Sequence, residues 1–339
     1  MAVSSDRHTV DGAVEPVRGR DPGHTVIGYA EQYGLIVVWA ALIVVFGALK
    51  PDTFLTWSNV SSLLGSQAVL VVVTLGLIIP LTANDFDVSI ANVMTLSSMV
   101  IAVLNVLHHV PIGWCMLIAL ATGVLVGLVN GFFITVFRIN SLIVTLGVGT
   151  FLHGVTLWIS DSMTISGVAP VLVKYVIVTR LLGIPLEFYY AIFICVVVWY
   201  LFEYTAVGRR ILFVGRGREV ARLSGIRADR VRRGCLVASS FLGALAGVMY
   251  AGTIGAADPQ SGLSYLLPAF AAAFLGATTI VPGRFNPWGA TLSVYFLVTG
   301  ITGLTFLGIR TFVQELFYGG ALVVAVTLSQ LVGGREERL

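Results

Sequence analysis

Charge is what this sequence has least of. Only 20 of its 339 residues are Lys or Arg and 17 are Asp or Glu, 11% in all, where an ordinary soluble domain carries roughly 25%. A chain so poor in charge cannot cover a water-facing surface, and lipid must solvate much of it. Lysine is nearly missing. Lys50 and Lys174 follow Leu49 and Val173, so no G-x-x-x-x-G-K-[ST] loop exists and the chain cannot by itself carry a standard ATP site. Cysteine is scarce too: Cys115, Cys195 and Cys235 sit in or beside apolar runs without a CxxC spacing, as small apolar residues in a bundle do. Of the five histidines, His8 and His24 fall near the N-terminus, His108 and His109 are adjacent, and His153 stands alone. Adjacent residues do not share a helix face, so no metal site is assigned and no cofactor is expected. The pair Gly215 and Gly217 opens like a dinucleotide fingerprint, but Val220 takes the place of its third glycine. No Ser/His/Asp arrangement suggests catalysis, and no nucleic-acid partner is expected. Such a chain moves or senses something rather than converting it.

Apolar length is what it has in plenty. Hydrophobic residues make up 57% and mean hydropathy is +0.94. A helix needs roughly 20 apolar residues to cross ~30 Å of hydrocarbon. That template gives ten spans, near 33–49, 59–81, 88–107, 112–136, 142–159, 186–203, 234–254, 263–281, 287–305 and 312–332. The fold class expected is an all-α membrane protein of about ten transmembrane helices. Residues 1–32 read as a polar cytoplasmic tail without the short apolar core and small-residue cleavage site of a signal peptide. Residues 33–332 form the transmembrane domain, and 333–339 a second cytoplasmic tail. With both termini in the cytoplasm, 16 of the 20 basic residues fall inside, nine of them arginines between 209 and 233, and only Lys50, Lys174, Arg180 and Arg310 fall outside. This follows the positive-inside rule. The inner loop 204–233 divides the spans five and five. If spans two to five and seven to ten are related units, they form an inverted repeat. Glycines at helical spacing, Gly123, Gly127 and Gly131 and then Gly243 and Gly247, suit close helix packing, within the subunit or between subunits.

Four segments carry the remaining chemistry. In LTANDFDVSIANVMTLSS (81–98), Asp85, Asp87 and Asn92 lie between two apolar spans. Carboxylates at membrane depth are costly and usually functional, and Asp87 also suits a cap for the following helix; both roles remain open. In the segment 130–154, Asn130 within its span needs a hydrogen-bond partner, protein or substrate, and Asn140 and Ser141 suit a helix cap. In the inner loop, GREVARLSGI predicts a short helix over Arg218–Ser224 stopped by Gly225, read either as a basic loop near anionic lipid or as a docking helix. In 255–290, Pro259 and Gly262 make an outer turn, and Pro282, Gly283 and Pro287 an inner one around Arg284.

Together, in order and spacing, these segments resemble the ribose-type family of ABC importer permeases over about 35–331. Asp87-Val88-Ser89 is similar to that family's D-L-S element. Ser141 to Gly147 is similar to its F-I-V-T-L-G element. Ala221-Arg222-Leu223-Ser224-Gly225-Ile226 matches its A-R-L-S-G-I element almost letter for letter. The sequence departs from the family at Asp85, where glycine is usual, at Leu266 and Pro268, where acids are common, and at 279–283, where the turn is glycine-rich.

The resemblance implies a type II ABC importer-like permease that dimerises with a second permease subunit in the bacterial inner membrane. It implies two ATPase subunits docked on Arg218, Glu219, Ala221, Arg222, Leu223, Ser224, Gly225 and Ile226, an extracytoplasmic sugar-binding protein, and a monosaccharide such as a pentose as cargo. Asp85, Asp87, Asn92 and Asn130 are then candidates for the translocation path, with Asp87 expected to matter and Asp85 to be dispensable. Branched-chain amino acid permeases are distant relatives, but their Asn-Phe-Ala-His-Gly element is absent. An ion-coupled carrier using Asp85 or Asp87 is the competing class, ahead of a membrane scaffold or receptor.

Overall fold

A computed structural model of the chain describes residues 22–310 and 312–336, with side chains described for 32–310 and 312–327. Most of the polar N-terminal tail (1–21) and residues 337–339 lie outside the described residues. Fifteen helices follow in order: α1 (Pro22–Leu49), α2 (Pro51–Phe54), α3 (Trp57–Ser66), α4 (Ala68–Thr82), α5 (Ile90–Ala102, continued by a π-helical turn to Leu107), α6 (Ile112–Val136), α7 (Ser141–Ile159), α8 (Pro170–Val173), α9 (Leu186–Tyr204), α10 (Ala206–Arg216), α11 (Arg218–Leu223), α12 (Ala228–Ile254), α13 (Ser261–Gly276), α14 (Pro287–Phe306) and α15 (Phe312–Glu336). Two short antiparallel bridges join the connecting loops: β1 (Ile165–Ser166) with β4 (Ala256–Ala257), and β2 (Arg180–Leu181) with β3 (Ile184–Pro185).

Among the described residues, eight helical stretches are long and apolar enough to cross a bilayer, α3 and α4 counting as one. Two shorter apolar helices, Ser261–Gly276 and Phe312–Thr327, stand where the eighth and tenth spans were expected. The eighth falls short because Gly276 closes α13 and Asn286 organises the turn behind it. Asn286 Nδ2 donates to the carbonyls of Gly276 and Thr279, and its Oδ1 accepts from Gly289 N–H at the head of α14. Two further expectations shift. Helix α1 begins at Pro22, inside the stretch read as tail, and α12 begins at Ala228, six residues ahead of its expected start at 234.

Helix α12 is the axis of the bundle. On one side the stripe of α6 lies flat against it: a Cβ at Gly123 would stand 2.5 Å from Ala244 Cβ, and one at Gly127 would stand 2.5 Å from Val237 Cα. On the other side Gly243 and Gly247 admit α5, so that Ile90, Met94 and Ser97 meet the α12 backbone. Both stripes therefore pack within one subunit. Without a hydrophobic force between helices in lipid, such close backbone approach supplies the dispersion energy that holds them. Helix α4, buried along its whole length, packs on α12, α13, α9 and α14. By contrast α1, α6 and α7 turn many large apolar side chains outward, among them Val44, Leu125, Phe151 and Trp158.

The head of α13 reaches the body of α5. Ser261 Oγ lies 3.3 Å from Thr95 Oγ1, and a Cβ at Gly262 would touch Thr95 and the Ala91 carbonyl. Helices α4 and α5 pack across α12 and α13.

Candidate functional site

The site is built on the turn between α4 and α5. Pro80, within the last turn of α4, accepts from Asp85 N–H at 2.9 Å, and Asn84 takes a left-handed conformation (φ 58°). This reversal aims Asp85 back under the bundle with its side chain only 1% exposed. A buried carboxylate requires a counter-charge, and Arg232 of α12 supplies it in a two-pronged pair: Nε to Oδ2 at 2.7 Å and Nη2 to Oδ1 at 2.7 Å. That fork-on-carboxylate geometry is the strongest ion-pair form. Arg218, the first residue of α11, adds Nη2 to Asp85 Oδ1 at 3.1 Å and to the Asn84 carbonyl at 2.7 Å. Asp85 was expected to be dispensable. The structure gives this carboxylate a structural task, since removing its charge would strand a buried guanidinium.

Helix α7 holds the other side of the same turn. The backbone N–H groups of Phe86 and Val88 donate to Ser141 Oγ (3.0 Å) and Thr145 Oγ1 (3.1 Å). Phe86 stacks on Phe270 of α13, with ring centroids 6.5 Å apart.

Asp87 lies deeper and has no exposed surface. Its Oδ1 accepts from the Ser89 N–H (3.1 Å) and hydroxyl (2.6 Å), and Ser89 Oγ in turn accepts from Asn130 Nδ2 at 2.9 Å. Asp87 thus orders the residue before Ile90, two positions ahead of the capping position it was read to occupy. Burial pushes its carboxyl above the usual range, opposed by the Ser89 and Ser239 hydroxyls. Asn92 is half-buried against Gly149 of α7. Of the four path candidates, Asp85 lines an open cavity.

That cavity, about 950 Å³, lies between the turn, the α6–α7 connection and the loop of α10 and α11. Arg138, Asn140, Ser141, Arg218 and Arg232 are among its walls. The loop sits tightly against the turn, since a Cβ at Gly215 would collide with the Thr82 carbonyl. Helix α11 spans Arg218–Leu223 with Gly225 at φ 79° behind it, close to the expected limits. Its outward residues are Glu219, Val220 (58% exposed), Arg222 and Leu223 (88%). Arg222 pairs with Glu219 and Asp229, and Ser224 Oγ bonds back to the Val220 carbonyl. Ala221 is buried, and Ile226 packs with it against Val214, Ala228 and Val231. Ile226, partly buried, therefore anchors the loop.

A family profile described as "Branched-chain amino acid transport system / permease component" matches residues 59–326. The chain belongs to this permease family. It is a multi-pass membrane protein, as its eight long apolar helices require. Curated relatives include the D-allose transport system permease protein of Escherichia coli K12, 27% identical over 89% of this chain and 92% of its own length. The L-arabinose ABC transporter permease protein of Azospirillum brasilense is 29% identical over 94% and 93%. The ribose import permease protein of Bacillus subtilis 168 is 28% identical over 89% and 94%. No solved structure gives a significant match. The described residues of the permease hold no cluster of His, Cys, Asp or Glu suited to a metal ion.

Sequence reasoning missed three residues in this permease. Arg232 was assigned to a loop, and Asn286 and Glu187 were not singled out. Glu187 is fully buried near the head of α9, where its Oε2 accepts from Thr253 Oγ1 at 2.5 Å. The signal that could have revealed Arg232 was Asp85 itself, an extra acid beside an apolar span that needed a cation.

Proposed function

We propose that this permease is the membrane subunit of an ATP-driven importer that carries a monosaccharide inward across the bacterial inner membrane. It works with a second permease subunit, two ATPase subunits on the cytoplasmic face and an extracytoplasmic sugar-binding protein. Both termini and the loop 204–233 face the cytoplasm, in keeping with the arginines gathered there. The observation that carries the docking assignment is α11. Val220 and Leu223 stand out from a strongly basic segment directly over the cavity that Asp85 lines. An exposed Leu on a helix otherwise anchored from below is what a partner groove accepts. Asp85 gives little support to an ion-coupled carrier, because both its oxygens are engaged by guanidinium donors. The curated relatives are named for allose, arabinose and ribose, which directs the substrate toward five- and six-carbon sugars.

The test is uptake into vesicles containing the assembled importer, with labelled D-allose, D-ribose and L-arabinose set against leucine. ATP-dependent uptake of a sugar that survives collapse of the ion gradient is expected. Uptake of leucine alone, or uptake abolished by the collapse, would replace this reading.

A further inference from the structure

The geometry points to Asp85 as the positioning residue through which α11 moves the turn at the head of α5, with Arg218 as the link. This rests on the importer reading above and adds to it the connection by which the loop acts on the spans. Arg232 alone already engages both carboxylate oxygens, so neutrality does not require Arg218. Yet Arg218 reaches from a side chain 40% exposed to a carboxylate 1% exposed, and the same Nη2 also takes the Asn84 carbonyl. Its two bonds therefore join a surface helix to a buried reversal.

Everything the turn touches beyond that point belongs to the spans. Phe86 and Val88 are stapled to α7 through Ser141 and Thr145. Phe86 lies on Phe270 of α13, and Ser89 leads directly into α5. Helices α5 and α13 meet again at Thr95 and Ser261. Displacing α11 thus pulls on Asn84 and Asp85, and the pull divides between α5 and α13. Packed cores answer such a pull by switching between discrete arrangements and not by continuous deformation. Arg232 fixes the pivot, because it ties Asp85 to the head of α12, the helix on which α5 and α6 are both packed.

The discriminating variant is Arg218→Ala, which leaves the Asp85–Arg232 pair whole and so should fold. It is compared with wild type and Arg218→Lys in the complete importer in proteoliposomes, scoring ATPase co-purification, thermal unfolding, ATP hydrolysis and sugar uptake. Arg218→Ala should keep melting near wild type and, because docking is assigned to the exposed Val220 and Leu223 while Arg218 turns to Asp85, co-purification as well. It should lower sugar moved per ATP hydrolysed by on the order of tenfold, the worth of a hydrogen bond to a charged group. Arg218→Lys, which keeps a donor for the Asn84 carbonyl, should recover part of it. Asp85→Asn, where it inserts, should show the same uncoupling, and adding Arg218→Ala to it should cost little more. An unchanged ratio of uptake to hydrolysis in Arg218→Ala, beside a wild type whose uptake depends on ATP, overturns the link while leaving the importer reading intact. Wild-type uptake that needs no ATP overturns both.

Discussion

Gly127→Ala should loosen the permease, and the structure indicates by how much. The new Cβ would stand 2.5 Å from Val237 Cα, 2.9 Å from Leu236 O and 3.1 Å from Val237 N. All three are backbone atoms, so no rotamer change can relieve the clash. Ordinary contact begins near 3.4 Å, and α6 must therefore retreat from α12 by roughly an ångström along their shared seam. Overpacking of this kind costs about 1–3 kcal/mol. The better helix propensity of alanine returns up to about 1 kcal/mol. The net expectation is a loss of about 1–2 kcal/mol, a drop of several degrees in the unfolding temperature of a chain this size. Thermal unfolding of purified protein in mild detergent measures it. Gly147→Ala and Gly154→Ala on α7 are the controls, because a Cβ there meets nothing within 4 Å; they should leave the melting temperature unchanged or slightly raised. If Gly127→Ala melts with or above those controls, the stripe is not a tight seam and the packing of α6 on α12 has been misjudged.

Val220→Asp with Leu223→Asp should release the ATPase subunits in a pull-down while the permease still inserts, because both side chains stand in solvent; full co-purification would refute docking through α11. Ile226→Asp should instead lower permease yield by burying a charge in the cluster of Val214, Ala221 and Ala228, and normal yield would contradict that packing. Asp87→Ala should lose about 1 kcal/mol through the lost Ser89 bonds, measured by the same detergent melt, with Asp87→Asn losing less. Because the buried Asp87 carboxyl holds its proton to higher pH than in the unfolded chain, it costs stability as pH rises above the usual carboxylate range. Relative to wild type, Asp87→Asn should therefore gain in melting temperature as pH rises above the usual carboxylate range; a constant difference would argue against a perturbed carboxyl. A cysteine replacing Leu223 should react with an impermeant maleimide only from the cytoplasmic side, and one replacing Leu182 only from outside. Both sites are exposed while Cys115, Cys195 and Cys235 are buried, and the reverse pattern would invert the orientation.

The spans were legible because lipid imposes a length, and a run such as Ile112–Val136 is recognised by length alone. The boundaries went astray where polar residues belong to helices. Arg230, Arg232 and Arg233 look like loop in one dimension, yet they start α12, with Arg232 on Asp85 and Arg233 Nε on Thr135 Oγ1. The amphipathic α10 was hidden in the same way, its buried Ile211 and Val214 diluted by neighbouring arginines. Within the site, the short helix α11 and its glycine stop could be read because helix signals are local. The association of Asp85, Arg218 and Arg232 could not, since no rule of spacing relates residues 147 apart. The glycine stripes showed that two helices would approach closely, but not that both partners would be found in the same chain.

That separation of 147 residues has a consequence for how the protein is made. Asp85 leaves the ribosome well before Arg232, and at about 5–20 residues per second the interval is roughly 7–30 seconds. Throughout that time the first half of the permease holds an acid beside its apolar spans without the cation that neutralises it, a state that is costly near hydrocarbon. The nascent N-terminal half is thus marked as incomplete by its own unpaired charge, and the mark is erased only when Arg218 and then Arg232 arrive. Truncated products would keep it, offering membrane proteases a chemical criterion for telling a half-made permease from a finished one.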